Sequence, residues 1–180
     1  ATNREEARAA AEEIGYPVLI KPAAGGGGKG MRIVENEDEI ADALEASMQE
    51  AAKAFGDDRV FVERYIGRPR HIEIQVVADT HDNVVYLGER ECSIQRRNQK
   101  VIEESASPVL DAAQAAELKT SAERLAVAVG YRGAATVEFL YHPGDRLFAF
   151  LEVNTRLQVE HPITELTTGF DLVKAQLHVA

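Results

Sequence analysis

The stretch from Glu152 to Glu160 carries a polar side chain at every second position. In an extended chain, Glu152, Asn154, Arg156, Gln158 and Glu160 would share one face, with successive members about 7 Å apart. Two carboxylates, two amides and a guanidinium offer both metal ligands and a fork for an anion. The alternative is an ordinary solvated strand face, but such faces are usually mixtures of Lys, Thr and Glu. We therefore interpret the segment as a site.

Glu138 lies on the strand that precedes this segment. The patterns over 135–140 and 147–153 predict two strands joined by a turn at 142–145. If the connection has an odd length of three or five residues, Glu138 and Glu152 share a face across the hairpin. Two close carboxylates repel unless a proton or a cation lies between them. Together with Asn154, these residues form a set of oxygen ligands, which suits Mg²⁺ and makes zinc improbable. The alternative is that Glu138 and Glu152 are two surface glutamates without a metal.

A run of glycines, GGGGKG at 25–30, is the second candidate. It matches G-x-G-x-x-G formally, but a dinucleotide fingerprint opens a helix, and residues 31–34 predict a strand. A Walker A loop is excluded because Lys29 is followed by Gly30. A strand, a glycine loop and a strand could cover phosphates with backbone N–H groups, or the loop could be a surface linker. Lys21, at the end of a buried strand, favours an anion nearby because a desolvated cation is costly.

The basic run RRNQK at 96–100 is the third candidate. The chain has 180 residues and a net charge of −10, so three cations within five residues form a local positive patch. Such a patch can attract phosphate or a small oxyanion. A solvated basic turn is the alternative, and the patch gains weight only together with the other two candidates.

Composition excludes several classes of protein. With 45% hydrophobic and 28% charged residues the chain is an ordinary globular protein, not a disordered one. The single Cys92 allows no internal disulfide and no Cys-based zinc site. The acidic balance argues against nucleic acid as a partner. No apolar run is long enough for a membrane span, and the sequence begins without the apolar segment of a signal peptide, so we expect a cytoplasmic protein with no membrane contact.

Two subdomains are predicted to position these candidates. The first, at 1–66, has a helix over 3–14, strands at 18–21, 31–34 and 60–62, and a second helix from Asn36 to near Gly56. GRPR at 67–70 is a plausible hinge. The second, at 67–180, has a half-buried strand at 71–76 with a neighbour at 84–87, a helix from Asp111 to Gly130, the hairpin, and a last helix from about Asp171.

Together, these segments resemble the ATP-grasp domain of biotin carboxylase, the component of acetyl-CoA, propionyl-CoA and related carboxylases that carboxylates biotin. The matching segments are IKPAAGGGGKGMR (20–32), VERYIGRPRHIEIQ (62–75), GERECSIQRRNQKVIEE (88–104), ATVEFLY (135–141) and LEVNTRLQVEHPITE (151–165). The last segment is the most specific. The resemblance implies an α+β ATP-grasp fold with a small α/β lid subdomain and a larger antiparallel-sheet subdomain with helices.

The resemblance also implies roles for individual residues. The implied ATP-binding residues are Lys21, Gly27, Gly28, Glu63, Arg64, Tyr65, Ile66, His71, Gln95, Asn98, Leu140, Glu138 and Glu152. The implied Mg²⁺ (or Mn²⁺) ligands are Glu138, Glu152 and Asn154. The implied bicarbonate pocket consists of Lys100, Arg156, Gln158, the backbone of Val159, and Glu160. The implied catalytic residues are Lys100, Arg156 as the cation beside biotin, and Glu160 as the general base.

The implied reaction is the ATP-dependent carboxylation of biotin by bicarbonate through carboxyphosphate. The implied partners are a biotin carboxyl carrier protein and a carboxyltransferase, with an oligomer possible in the full-length protein. Asn98 stands where the family usually has His, and Lys29 where Arg is more usual. The family's N- and C-terminal domains are absent from the sequence, which leaves open whether the chain is active by itself. Another ATP-grasp ligase, such as a carbamoyl-phosphate synthetase-like domain, and an inactive nucleotide-binding fragment are the alternatives.

Overall fold

A computed structural model describes residues 3–24, 29–81 and 83–180, the side chain of Arg4 excepted. The chain divides into two compact units, Ala1–Gly67 and Arg68–Ala180. Within the described ranges, no helix combines the length and the apolar character that crossing a membrane requires.

The first unit packs two helices on a three-stranded antiparallel sheet. Its elements are α1 (Arg4–Ile14), β1 (Val18–Pro22), β2 (Arg32–Val34), a 3₁₀ turn (Glu37–Glu39), α2 (Ile40–Phe55) and β3 (Val60–Arg64), with strand order β2-β1-β3. Asn3 caps α1 by accepting a hydrogen bond from the Glu6 N–H at 2.9 Å. Gly56 ends α2 in the left-handed conformation. The core is made of Ala7, Ala11, Val18, Ile20, Val34, Ile40, Leu44 and Val60.

The second unit is built on a five-stranded antiparallel sheet. Its elements are β4 (Arg70–Ala78), β5 (Val84–Arg96), β6 (Gln99–Glu104), α3 (Ala112–Ala128), β7 (Gly133–His142), β8 (Leu147–Asn154), α4 (His161–Thr168) and α5 (Leu172–Val179). The strand order is β6-β5-β4-β7-β8. Helix α3 begins with a capping box made by Asp111 and Gln114, and it packs on one face of this sheet. The core on that face is made of Ile72, Ile74, Val76, Leu118, Ala122, Ala135, Val137, Phe139 and Tyr141.

The helices and antiparallel sheets confirm the predicted α+β class. The basic run forms a turn, which is the alternative given above, whereas the extended conformation predicted for the polar segment is wrong. The basic run at 96–100 is the turn of a long β5–β6 hairpin, in which Arg97 and Asn98 have φ values of 52° and 64°. Two positive φ angles make the tight turn that matches strand twist. The chain also leaves the sheet after Asn154, so the polar segment is not extended to Glu160. Helix α4 begins soon afterwards, with Pro162 in its first turn.

Candidate active site

A row of four charged residues crosses one face of the five-stranded sheet. This is the face opposite the core on which α3 packs. Arg90 on β5 pairs with Glu73 on β4, Glu73 pairs with Glu138 on β7, and Glu138 pairs with Glu152 on β8. Arg90, Glu73 and Glu138 are buried. Like charges that face each other across strands are destabilising. This row therefore needs cations among its three carboxylates.

Lys100 and His71 provide two of these cations. The Nζ atom of Lys100 lies 3.0 Å from Glu138 Oε1 and 2.5 Å from Glu160 Oε1, and it also contacts Glu73. The His71 Nε2 atom lies 2.8 Å from Glu138 Oε2 and 3.3 Å from Glu73 Oε1. Each buried carboxylate of the row thus has a positive neighbour, as a buried charge requires.

The local charges shift the pKa values of this cluster away from neutral pH. Burial alone would lower the pKa of His71, but its hydrogen bonds to Glu138 and Glu73 raise it to about 9. Burial would raise the pKa of Glu73, yet His71, Arg90 and Lys100 lower it to about 2. Burial would lower the pKa of Lys100, but Glu73 and Glu160 raise it. At neutral pH, His71 and Lys100 therefore carry positive charge and Glu73 carries negative charge.

Glu138 and Glu152 lie directly opposite each other, as predicted, but for a different reason. The turn between β7 and β8 has four residues, Pro143 to Arg146, so the condition of an odd length is not met. The register shifts between Glu138 and Phe139, which pair with Glu152 and Phe150. Leu151 is the extra residue of this β-bulge, and the bulge corrects the parity that the even turn would have broken.

The donor set at this position fits a divalent cation. The Nδ2 atom of Asn154 donates to Glu138 Oε1 at 2.8 Å and lies 3.4 Å from Glu152 Oε1. Both carboxylates thus converge on one small polar group, and the Asn154 amide also carries a carbonyl oxygen. Two carboxylates and an amide oxygen are ligands that Mg²⁺ accepts, with water and substrate oxygens completing its shell.

Gln158 and Glu160 reach the same cluster from the segment that leads into α4. The Gln158 Nε2 atom donates to Glu138 Oε1 at 2.8 Å, and Glu160 is the buried partner of Lys100. Of the five polar residues predicted to share a strand face between Glu152 and Glu160, only Glu152 and Asn154 lie on β8. The five residues therefore do not share a strand face. The side chains of Asn154 and Gln158 nevertheless both donate to Glu138. Glu152 is paired with Glu138 across the hairpin, and Glu160 shares the cation Lys100 with it.

Arg156 and Val159 are exposed beside this cluster. The Arg156 Nη2 atom lies 3.5 Å from Asn154 Oδ1, and its Nη1 atom donates to the carbonyl of Leu157 at 3.3 Å. The side chain of Val159 is 86% exposed, so only its backbone is a candidate for binding. The guanidinium is thus near the cluster but not held by a carboxylate in the contacts described for it.

Three further predicted residues of the second unit, Leu140, Gln95 and Asn98, lie on the same sheet or at its hairpin turn. Leu140 on β7 is paired with His71. The Gln95 side chain donates to the Cys92 carbonyl at 2.7 Å, and Gln95 is paired with Lys100. Asn98 is exposed at the hairpin turn. His71 and Leu140 therefore lie at the cluster itself, and Asn98 at the end of the hairpin.

The first unit holds the other predicted nucleotide-binding residues. The Lys21 Nζ atom lies 4.0 Å from Glu63 Oε2, and the Lys21 side chain is only 16% exposed. Glu63 and Arg64 end β3, and the Tyr65 N–H donates to the Pro17 carbonyl at 3.3 Å, just before Ile66. Gly27 and Gly28 lie outside the described residues.

Sequence reasoning missed the buried partners of this cluster. Arg90 has no exposed surface and donates to the side chains of Glu73, Gln75, Thr136, Gln158 and Thr164. The signal was available in part, because the alternation of RHIEIQ places Glu73 and Gln75 on the face of His71. Alternation does not show that this polar face is covered, however, and we predicted a half-buried strand.

This fold and site define an ATP-binding domain of the ATP-grasp class. The family model described as "Carbamoyl-phosphate synthase L chain, ATP binding domain" matches residues 1–180. The chain belongs to this family, and within it the resemblance to biotin carboxylases is confirmed by the relatives described next.

Three of these relatives are carboxylase chains or biotin carboxylase domains. The propionyl-CoA carboxylase alpha chain of Ruegeria pomeroyi is 58% identical over 98% of this chain. The biotin carboxylase of Campylobacter jejuni, solved as a complex with β,γ-ATP, is 48% identical over 98% of this chain with a TM-score of 0.95. The biotin carboxylase domain of Hydrogenobacter thermophilus 2-oxoglutarate carboxylase, solved with MgADP, ADP and bicarbonate, is 47% identical over 98% with a TM-score of 0.93.

The chain spans only part of these relatives. It covers 26% of the Ruegeria protein, 40% of the Campylobacter chain and 39% of the Hydrogenobacter chain.

Proposed function

We propose that the chain is the ATP-binding core of a biotin carboxylase, which uses ATP and bicarbonate to carboxylate biotin on a carrier protein and releases ADP and phosphate. The observation that carries the proposal is the contact of Glu160 with Lys100 beside Glu138 and Gln158. A buried base, a fixed cation and candidate metal ligands thus lie within one cluster. The bicarbonate and MgADP held by the Hydrogenobacter relative support this assignment.

Lys100 is the proposed anchor for bicarbonate. Its raised pKa keeps the ammonium charged. Because the chain has a net charge of −10, a bound anion needs such a local positive charge. The Gln158 amide, the Val159 backbone and the Arg156 guanidinium can add hydrogen bonds around the same anion. Glu160, which contacts Lys100, is then next to the bound bicarbonate.

Glu160 is the proposed general base. Bicarbonate is a poor nucleophile, and removal of its proton by Glu160 as its oxygen attacks the γ-phosphorus of ATP raises its reactivity. The bond between the γ-phosphorus and the bridging oxygen breaks, ADP leaves, and carboxyphosphate forms. Its breakdown gives CO₂ and phosphate, and the phosphate can take the proton of the biotin ureido nitrogen.

Arg156 is the proposed cation for the biotin anion that results. Loss of the ureido proton leaves an enolate-like oxygen, and a guanidinium is always charged and can make two parallel contacts to it. Arg156 is exposed, which suits a side chain that must meet biotin on a separate carrier. The biotin nitrogen then attacks CO₂ and becomes carboxylated.

Glu138, Glu152 and Asn154 are the proposed ligands of Mg²⁺ or Mn²⁺, since the donor set described above fits such an ion. A bound divalent cation would offset negative charge on the phosphates during transfer. We also propose nucleotide-binding roles on the strength of the family resemblance. The residues are Lys21, Gly27, Gly28, Glu63, Arg64, Tyr65, Ile66, His71, Gln95, Asn98 and Leu140.

The proposal also covers partners and location. A biotin carboxyl carrier protein must present biotin, and a carboxyltransferase must accept the carboxyl group, either as separate chains or fused to this one. The relatives include a carboxylase alpha chain and a carboxylase domain, which supports both arrangements. We place the protein in the cytoplasm, which a chain with a single, buried and unpaired Cys92 supports.

The test uses the full protein that contains this chain, with Glu160→Gln and the matched control Glu117→Gln on the exposed side of α3. We expect Glu160→Gln to lower bicarbonate-dependent ADP release at least about 100-fold. MgATP should still raise the melting temperature of this variant as it does for the unsubstituted protein. Undiminished turnover would remove Glu160 from its role. ADP release that ignores bicarbonate or biotin in the unsubstituted protein would contradict the function itself.

A further inference from the structure

Among the described residues of the second unit, Arg90 is the largest side chain that is fully buried, and none of the proposed chemistry uses it. Its Nε and Nη2 atoms donate to Glu73 Oε2 at 3.0 and 2.9 Å. Glu73 is its in-register neighbour on β4, so the buried guanidinium has a carboxylate partner fixed by strand pairing. This ion pair satisfies the charge of Arg90 but leaves other donors of the guanidinium for further partners.

Those other donors connect the sheet to α4. The Nη1 atom donates to Gln75 Oε1 at 2.7 Å and to Thr164 Oγ1 at 3.1 Å. The Nη2 atom also lies 3.1 Å from Thr136 Oγ1 and 3.4 Å from Gln158 Oε1. Gln75 and Thr136 belong to the sheet, whereas Thr164 lies on α4 and Gln158 on the segment before it. The Arg90 side chain therefore links the sheet to α4 and to the segment before it.

This link matters because Gln158 and Glu160 do not lie on a strand, and only side-chain contacts connect them to the sheet. Strand β8 ends at Asn154, and Glu160 is the N-cap residue directly before α4. Thr164 follows Glu160 by one helical turn and so lies on the same side of α4. A hydrogen bond that holds Thr164 against the sheet therefore also sets where Glu160 lies relative to Lys100.

We propose that Arg90 is a positioning residue, which holds Gln158 and Glu160 beside Lys100 by tying α4 to the polar face of the sheet. The inference rests on the function proposed above. A lysine could keep the charge at this position, but its single ammonium cannot reproduce a planar fork that serves five side chains. The role therefore depends on the shape of the guanidinium as well as on its charge.

The experiment measures bicarbonate-dependent ADP release by the full protein, with KM determined separately for bicarbonate and ATP. Arg90→Lys tests the fork directly. Because this variant could fail to fold, Thr164→Val tests the link to α4 by removing one hydroxyl, and Thr164→Ser restores that hydroxyl. Thr167→Val is the matched control, since Thr167 is on the same helix and its hydroxyl bonds to the Ile163 carbonyl.

We expect Thr164→Val to lower kcat/KM for bicarbonate about tenfold, the usual cost of a lost hydrogen bond to a charged group, with KM for ATP unchanged. Thr164→Ser and Thr167→Val should stay within about twofold of the unsubstituted protein. A purely structural role would lower the melting temperature and leave both KM values alone, and this outcome would overturn the inference. So would a Thr164→Ser variant as impaired as Thr164→Val. An unsubstituted protein without bicarbonate-dependent ADP release would instead overturn the proposed function, and the inference with it.

Discussion

Glu138 and Glu152 face each other across β7 and β8 because a β-bulge at Leu151 compensates for an even-numbered turn. Without that extra residue in the strand, a four-residue turn would place the two carboxylates on opposite faces of the sheet. The bulge lies next to the candidate metal site, which is where such irregularities are often found. The broken register of the hairpin is therefore what brings the two proposed metal ligands face to face.

The metal dependence of the reaction tests this pair. We expect Glu152→Gln to raise the Mg²⁺ concentration needed for half-maximal ADP release at least about tenfold, because one anionic ligand becomes neutral. Asp145→Asn is the control, since it removes the same charge at the exposed turn of the same hairpin. An unchanged Mg²⁺ requirement in Glu152→Gln would show that this carboxylate does not bind the ion.

Loss of Lys100 should destabilise the metal-free protein strongly. Lys100→Gln leaves Glu73, Glu138 and Glu160 without their shared cation, and breaking a buried ion pair costs about 3 kcal/mol. Urea unfolding measures this loss. Lys119→Gln, whose partner Glu123 lies 3.9 Å away at the surface, should change the free energy of unfolding by less than about 1 kcal/mol. Equal effects of the two substitutions would contradict the shared role of Lys100.

The stability of the metal-free protein should fall as the pH rises from about 6.5 to 9. The pKa of His71 is raised to about 9 in the folded protein, so between these values the folded state binds more protons than the unfolded state. The contribution of His71 is complete below its ordinary pKa and is lost as the pH passes through 9. It amounts to about 3 kcal/mol by the relation between pKa and free energy.

His71→Gln separates this contribution from other groups that titrate in the same range. Its free energy of unfolding, measured by urea titration at several pH values, should vary less between pH 6.5 and 8.5 than that of the unsubstituted protein. Parallel pH profiles for the two proteins would mean that His71 is not the responsible group.

Cys92 should be unreactive in the native protein. Burial raises its pKa, and the nearby Glu73 raises it further, so little thiolate forms at pH 8. We expect an alkylating reagent to leave Cys92 unmodified under native conditions and to modify it in urea, as measured by mass spectrometry of the peptide that contains it. Rapid native modification would show that the thiol is accessible.

Much of the fold could be predicted because its signals are local. The capping box of Asp111 and Gln114 and the glycine after α2 fix helix ends through hydrogen bonds within a few residues. The alternation in β4, β7 and β8 likewise assigns side chains to faces, since the period of a strand is two. Glu138, Glu152 and Asn154 were therefore recognised as one candidate site before any contact was known, whereas His71 was proposed from the family resemblance alone.

The sequence by itself determined that His71, Glu73 and Gln75 share a face of β4, and its resemblance to biotin carboxylases supplied most of the candidate residues. Only the tertiary structure decided that Glu160 reaches Lys100 from the start of α4, that the polar face is buried, and that Arg90 joins the two. The physical reason is the distance along the chain over which each interaction acts. Alternation and capping act over a few residues, whereas burial and ion pairing depend on which distant segment covers a surface, and no local pattern encodes that.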